Sequence, residues 1–189
     1  MAGIVLASQS PRRKQLLEWA EVDFEVLVVP TDESYPEGLQ PEDVAMHIAL
    51  QKAKAVRELA GNRTVIAADT IVVLETEIIG KPADRDDAIR ILTKLSGSKH
   101  RVITGVVIVD GDNETVFYDS TEVEFHPLTL EQISFYVDHY QPFDKAGAYA
   151  IQEWIGVVGI KRVHGDFYNV MGLPVSRVVQ VLQRIKEQR

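Results

Sequence analysis

The sequence predicts an α/β fold built on a mixed β-sheet. Short apolar runs alternate with amphipathic helical stretches along most of its 189 residues. Two of those runs flank the tight turn Asp110-Gly-Asp-Asn113, which reads as a hairpin. Apolar residues make up 46% of the chain, enough for a substantial core. Crossover helices join parallel strands and a hairpin joins antiparallel ones, so both kinds of pairing are expected in one sheet.

Taken in order, residues 4–7 form a short buried strand. Ser10 caps a helix, Pro11 fits its first turn, and Leu16, Leu17 and Ala20 supply its apolar side. Residues 24–29 form a second strand, and 31–43 a polar loop carrying Asp32, Glu33, Glu37, Glu42 and Asp43. Pro41 opens a long helix to about Leu59, stopped by Gly61-Asn62. Residues 65–74 form the most apolar strand, which turns at Glu75-Thr-Glu77 into a short return strand at 78–79. Gly80-Lys81-Pro82 makes a stiff loop. A helix runs from Asp84 to Gly97, the hairpin strands cover 102–109 and 115–125, and Thr129 with Gln132 forms a capping box for a helix to about His139. Residues 141–153 are irregular, 154–160 read as another strand, and a last helix begins near Pro174 with Val175, Val178, Val179, Leu182 and Ile185 on one side. Trp19 and Trp154 are expected to be packing residues.

Bulk properties exclude several functions. A net charge of −8 fits poorly with coating a nucleic acid, although a local basic pocket can still hold a small anion. With no cysteine there is no disulfide framework, thiolate zinc site or cysteine nucleophile. The five histidines (His47, His100, His126, His139 and His164) show no metal-ligand spacing. The chain start lacks the pattern of a signal peptide and no apolar run reaches about 18 residues, so a soluble cytoplasmic protein without a membrane partner is expected.

Several features carry chemistry. In Ile4-Val-Leu-Ala-Ser-Gln-Ser-Pro-Arg-Arg13, a strand passes through a small polar turn into a capped helix, a phosphate-binding layout. Ser8 and Ser10 offer hydroxyls, and Arg12 and Arg13 stand where a helix N-terminus is already partly positive. The stretch is neither a Walker A loop nor a G-x-G-x-x-G turn. Lys52 falls within the apolar stripe Ala45, Ile48, Ala49, Ala55, Val56 and Leu59, so its ammonium must either meet an anion or snorkel past the helix edge. Asp69 interrupts the most apolar strand with no turn residue beside it, and a carboxylate there needs a metal, a cation or several donors. Thr70 points to the opposite face if the strand is regular; if the chain bends there, Asp69 and Thr70 line one cleft. Lys81 sits in its rigid loop, Gln152 follows a small-residue segment, and Glu33 is one of five carboxylates that composition does not separate. Clustered cations match a triphosphate, and carboxylates match a divalent ion such as Mg²⁺, the apparatus of phosphoryl or nucleotidyl transfer.

At these residues the sequence resembles the Maf family of nucleoside triphosphate pyrophosphatases over nearly the whole chain. The markers are Leu-Ala-Ser-Gln-Ser-Pro-Arg-Arg at 6–13, Asp32-Glu33, Lys52-Ala-Lys54, Ala67-Ala-Asp-Thr70, Gly80-Lys-Pro82, Asp144-Lys-Ala-Gly-Ala-Tyr149 and Asn169-Val-Met-Gly-Leu-Pro174. Each is weak alone, and their joint order is specific. The resemblance implies one domain over 1–189: an elongated mixed sheet flanked by helices, in two lobes with a central cleft, similar to the inosine triphosphate pyrophosphatases. It implies hydrolysis of a nucleoside triphosphate to monophosphate and pyrophosphate with a divalent cation, Mg²⁺ or Mn²⁺. By motif, Asp69 resembles the proton acceptor and Glu33 the second carboxylate, and both resemble metal ligands; one carboxylate can fill either role. Ser8, Arg13, Lys52 and Lys81 resemble the phosphate-binding set. Arg12, Thr70 and Gln152 match the positions that mark the branch acting on dTTP and UTP. A homodimer is compatible with the resemblance. The alternative it leaves is a non-catalytic nucleotide-binding regulator of cell division or septum formation.

Overall fold

The computed structural model describes residues 3–188. Its sheet has seven strands, in the order β2 (Glu25–Val26), β1 (Ile4–Leu6), β3 (Thr64–Leu74), β5 (Lys99–Asp110), β6 (Asn113–Phe125) and β7 (Ile160–His164), with β4 (Glu77–Ile79) paired to β3. The chain forms two compact units: one runs up to Asp69 and takes in Thr104–Asp119 and everything from Gly172 onward, and the other comprises Thr70–Ile103 and Ser120–Met171. No described helix is long and apolar enough to cross a membrane.

In the first unit, β1 (Ile4–Leu6) pairs in parallel with β2 (Glu25–Val26) and with the start of β3 (Thr64–Leu74). The register sets Val5 opposite Val65 and Leu6 opposite Ile66. Between β1 and β2 lies α1 (Pro11–Trp19), with Ser10 as its cap and Pro11 in its first turn as expected. Between β2 and β3 lies α2 (Pro41–Ala60), which Gly61 ends at φ 60°. The buried residues of α2 are Val44, Ala45, Ile48, Ala49, Ala53, Val56 and Ala60. The stripe is therefore turned from the expected one: Leu59 is 62% exposed, and the small Ala53 and Ala60 pack against Val5, Val65, Ala67 and Val107. On a helical wheel Lys52 still falls inside the buried arc, between Ile48 and Ala45, with 17% of its side chain exposed. Strand β5 (Lys99–Asp110) meets the same helix through Gly105, where a Cβ would stand 2.4 Å from the carbonyl carbon of Ala45 and the nitrogen of Met46. Only glycine allows that approach. Helix α7 (Val175–Glu187) closes the unit with Val178, Val181 and Leu182 buried.

In the second unit, β3 turns back antiparallel into β4 (Glu77–Ile79), with Val72 opposite Ile79. Helix α3 (Arg85–Leu95) starts on Asp84, whose side chain accepts the Asp87 N–H at 2.9 Å. Strands β5 and β6 (Asn113–Phe125) form the expected hairpin. The capping box of Thr129 and Gln132 is present at α4 (Leu130–Tyr140), and α3 is tied to α4 by a bidentate Arg85–Asp138 pair at 2.6 and 2.9 Å. The segment 154–160 is not a strand. Trp154–Gly159 winds into α5, and only then does β7 (Ile160–His164) pair with β6. A short apolar run rich in β-branched residues does not reveal its own period. Here Val157 is 82% exposed, and a Cβ on Gly156 would lie 1.7 Å from the Ile151 carbonyl oxygen. The short α6 (Phe167–Met171) has no counterpart in the sequence expectation. Trp154 packs edge-on against Phe135, with centroids 4.8 Å apart, whereas Trp19, also expected to pack, ends α1 with 59% of its surface exposed.

His100, Phe125 and Tyr149 form an aromatic cluster in this unit, with centroids 5.1–5.4 Å apart and His100 Nε2 2.6 Å from the Tyr149 hydroxyl. Burial pushes the His100 imidazole down from 6.5 to about 4 and raises the Tyr149 phenol. The unfolded chain thus binds a proton below pH 6.5 that the folded chain refuses until about pH 4. Stability contributed by neutral His100 is complete above pH 6.5 and is lost as pH falls toward 4, by about 3 kcal/mol in total. Urea unfolding between pH 7 and pH 4 should show this loss, and His100→Gln should remove that share of the slope. An unchanged slope in the variant would contradict it.

Candidate active site

Six of the expected residues come together in the first unit: Ser8, Arg12, Arg13, Glu33, Lys52 and Asp69. The chain leaves β1 through Ala7 and Ser8, turns at Ser10 and enters α1. The Ser10 N–H donates to Ser8 Oγ at 3.2 Å, and the Arg13 N–H to Ser10 Oγ at 3.5 Å, which fixes the turn. Arg13 folds back over it. Its Nη1 donates to Ser8 Oγ at 3.2 Å, and its Nε donates to the Gly172 carbonyl at 2.7 Å. Only 8% of Arg13 is exposed. Burial lowers its pKa from the ordinary arginine value. The charge of Asp69 opposes that shift, neighbouring Arg12 adds to it, and Glu33 opposes it. A guanidinium sits here beside another cation, under cover, at the positive end of a helix. Such an arrangement suits an incoming anion.

Lys52 meets an anion rather than snorkelling out. Its ammonium donates to Asp69 Oδ1 at 2.7 Å and lies 2.8 Å from Glu33 Oε1. The side chains of Lys52 and Asp69 are 17% and 13% exposed, and that of Glu33 is 49% exposed. The structure thus selects Glu33 from the five carboxylates of its loop. Asp32, its neighbour, turns away to accept the Ser34 N–H and hydroxyl at 3.0 and 2.9 Å. Lys52 pairs with both carboxylates, and the charges of Asp69 and Glu33 also act on Arg13, so cations and carboxylates alternate across the cluster.

Among the described residues no group of three or more His, Asp or Glu side chains converges to hold a metal. Two carboxylates do converge, each with an oxygen within 2.8 Å of one ammonium nitrogen. Such a pair of hard oxygen donors fits Mg²⁺, which binds through one or two carboxylates and fills its shell with substrate phosphates and water.

Thr70, Lys81 and Gln152 belong to the second unit. Thr70 follows Asp69 along β3 and is half-buried. Lys81 is exposed in its loop, where the Gly80 carbonyl accepts the Gly147 N–H at 3.1 Å and Pro82 is buried. Gly147 has φ 71°, and a Cβ there would come 2.9 Å from a Val72 methyl. Gln152 is exposed on the turn Ala150–Glu153, closed by the Glu153 N–H donating to the Ala150 carbonyl at 3.1 Å. Sequence reasoning missed Gly172, which reaches Arg13 through backbone alone; its signal was the glycine in Asn169–Pro174, held at φ 120°. Also missed were Tyr136 and Glu153, whose hydroxyl and carboxylate meet beside that turn, and no spacing in the sequence announces them.

Breaking one partner of a well-covered ion pair strands the other. A double-mutant cycle of Lys52→Met and Asp69→Asn, followed by urea unfolding, should give a coupling of about 1–2 kcal/mol, since part of the pair is screened by solvent. Lys54→Met, on an exposed position, should couple to Asp69→Asn by less than about 0.5 kcal/mol. Equal coupling from both lysines would refute the selective pairing.

A family model described as "Maf-like protein" matches residues 3–185. The chain is 49% identical over 182 residues to a dTTP/UTP pyrophosphatase of Cytophaga hutchinsonii, covering 96% of this chain and 84% of that protein. It is 46% identical over 184 residues to a dTTP/UTP pyrophosphatase of Bacillus cereus, covering 97% and 96%. A solved Ham1 protein of Staphylococcus aureus overlays 65% of this chain and 71% of its own, with a TM-score of 0.48 and 19% identity.

Proposed function

Because this chain belongs to the Maf family, we propose that it is a nucleoside triphosphate pyrophosphatase that hydrolyses dTTP and UTP to the monophosphate and pyrophosphate. The observation that carries the reading is the Glu33–Lys52–Asp69 cluster beside a covered Arg13.

A polyphosphate brings negative charge to a place where Arg13 is covered beside Arg12 at a helix N-terminus and Lys52 lies between two carboxylates. Arg13 is already oriented by Ser8 and Gly172, so its guanidinium needs little reorganisation to donate to phosphate oxygens. Lys52 is released from part of its carboxylate contact once phosphate is near, and its ammonium then serves the leaving pyrophosphate. Asp69 accepts a proton from the attacking water. That oxygen bonds to the α-phosphorus, the bond from α-phosphorus to the bridging oxygen breaks, and pyrophosphate departs with the bonding pair. Glu33 and Asp69 would hold the divalent cation, Mg²⁺ or Mn²⁺. Bound there, the cation supplies neutralisation of phosphate charge and a lower pKa for coordinated water. Lys81 is assigned to the phosphates and Thr70, Arg12 and Gln152 to base selection through their match to the family's motifs. Both the Thr70 hydroxyl and the Gln152 amide can pair with the 2-oxo, N3–H or 4-oxo positions of uracil and thymine.

Two measurements test this. Pyrophosphate release with Mg²⁺ or Mn²⁺ should be efficient on UTP and dTTP and poor on CTP and GTP; equal rates on all four would remove the pyrimidine assignment. Asp69→Asn should lower kcat by at least about a hundredfold while a fluorescent UTP analogue still binds. Binding by the unaltered protein with no pyrophosphate released from any nucleotide would replace the enzyme with a nucleotide-sensing regulator.

A further inference from the structure

We infer that Tyr136 is a positioning residue for base selection, fixing through one hydroxyl both ends of the turn that presents Gln152. The inference rests on the reading of Gln152 as a base-selecting residue.

Tyr136 lies on α4, is wholly buried, and stacks on Tyr140 with ring centroids 5.0 Å apart. Its phenol oxygen accepts the Ala150 N–H at 3.1 Å, and its proton goes to Glu153 Oε2 in a short hydrogen bond. These two residues are the first and last of the four-residue turn whose third residue is Gln152, and the turn closes on itself from the Glu153 N–H to the Ala150 carbonyl. Glu153 is held from its other side as well, because Lys145 Nζ lies 3.7 Å from Glu153 Oε1 and 2.8 Å from Asp144 Oδ1. Immediately downstream, Gly156 seats itself against the Ile151 carbonyl so closely that no side chain fits there. Ala150 and Ile151 are buried at 5% and 4%, while Gln152 points out. An exposed amide thus stands on a backbone immobilised at the two positions that set its direction.

Such rigidity has a use in telling uracil from cytosine. The two bases invert donor and acceptor at the N3 and C4 positions, so the wrong base is rejected only by an amide that cannot swing or shift to suit it. A loose turn would let the amide adapt, and discrimination would fall while phosphate chemistry continued. Tyr136→Phe keeps the ring and its stacking but leaves the Ala150 N–H and the Glu153 carboxylate without this partner.

The experiment measures kcat/KM for UTP and CTP in the whole protein, with Mg²⁺, for wild type, Tyr136→Phe, Gln152→Ala and the double variant. Gln152→Ala should lower the UTP-to-CTP ratio. Tyr136→Phe should lower it about tenfold with kcat on UTP within about twofold. In the double variant the tyrosine change should add nothing, because it acts through Gln152. If Tyr136→Phe does not fold by near-UV circular dichroism, Glu153→Ala tests the same tie from its other end, and Glu153→Gln, which keeps an acceptor, should restore the ratio. A ratio relaxed by Gln152→Ala but untouched by Tyr136→Phe, or rates lowered equally for both nucleotides, overturns the inference alone. A ratio indifferent to Gln152→Ala overturns the reading of Gln152 and the inference with it. Absence of pyrophosphate release by wild type overturns the proposed function itself.

Discussion

The ammonium of Lys52, placed between Asp69 and Glu33, is the interaction on which the first unit's arrangement turns. Asp69 stands in the most apolar strand of the chain, with Ile66, Ala67 and Ala68 wholly buried before it. A bare carboxylate there would be costly, and so would a bare ammonium beside the packed face of α2. Each makes the other tolerable. The pairing needs α2 to lie against the sheet at a fixed rotation, and the alanines at 49, 53 and 60 supply the close packing that fixes it. Glu33, half exposed on its loop, completes the neutralisation from the solvent side.

Arg13 extends the same logic toward a ligand. A covered guanidinium next to another arginine is not an arrangement that favours the folded state for its own sake. Its donors are used with care: one satisfies Ser8, and another the Gly172 carbonyl. The fold thus holds this guanidinium in a set orientation, with the charges of Asp69 and Glu33 opposing that of Arg12, in a chain whose overall balance is −8. Pre-orientation of this kind is what allows an electrostatic site to act without rearranging as charge develops.

Much of this was legible in the sequence where one residue contradicts its neighbours. Lys52 in an apolar pattern and Asp69 in an apolar strand both declared themselves, as did Ser10 and Pro11 at a helix start, and Thr129 with Gln132 at another. What stayed hidden depended on distance through space. Composition offered five equivalent carboxylates, and only the folded loop puts Glu33 on Lys52 while turning Asp32 onto Ser34. The Gly172 carbonyl and the Tyr136 hydroxyl act through a backbone oxygen and a buried ring, which leave no mark in spacing. Residues 154–160 misled because a brief apolar stretch with valines suits either period; Trp154–Gly159 winds as a helix and only Ile160 begins the strand.

Gly105 never meets a reactant, yet it sets how near α2 stands to β5, since one added carbon would collide with the backbone of Ala45 and Met46. Lys52 lies seven residues along that helix, about 10 Å away at 1.5 Å per residue. A helix is stiff, so a push at one end is carried as a lever to the other. A side chain at this position would displace the charge cluster without touching any member of it: the residue's whole contribution is to have no side chain.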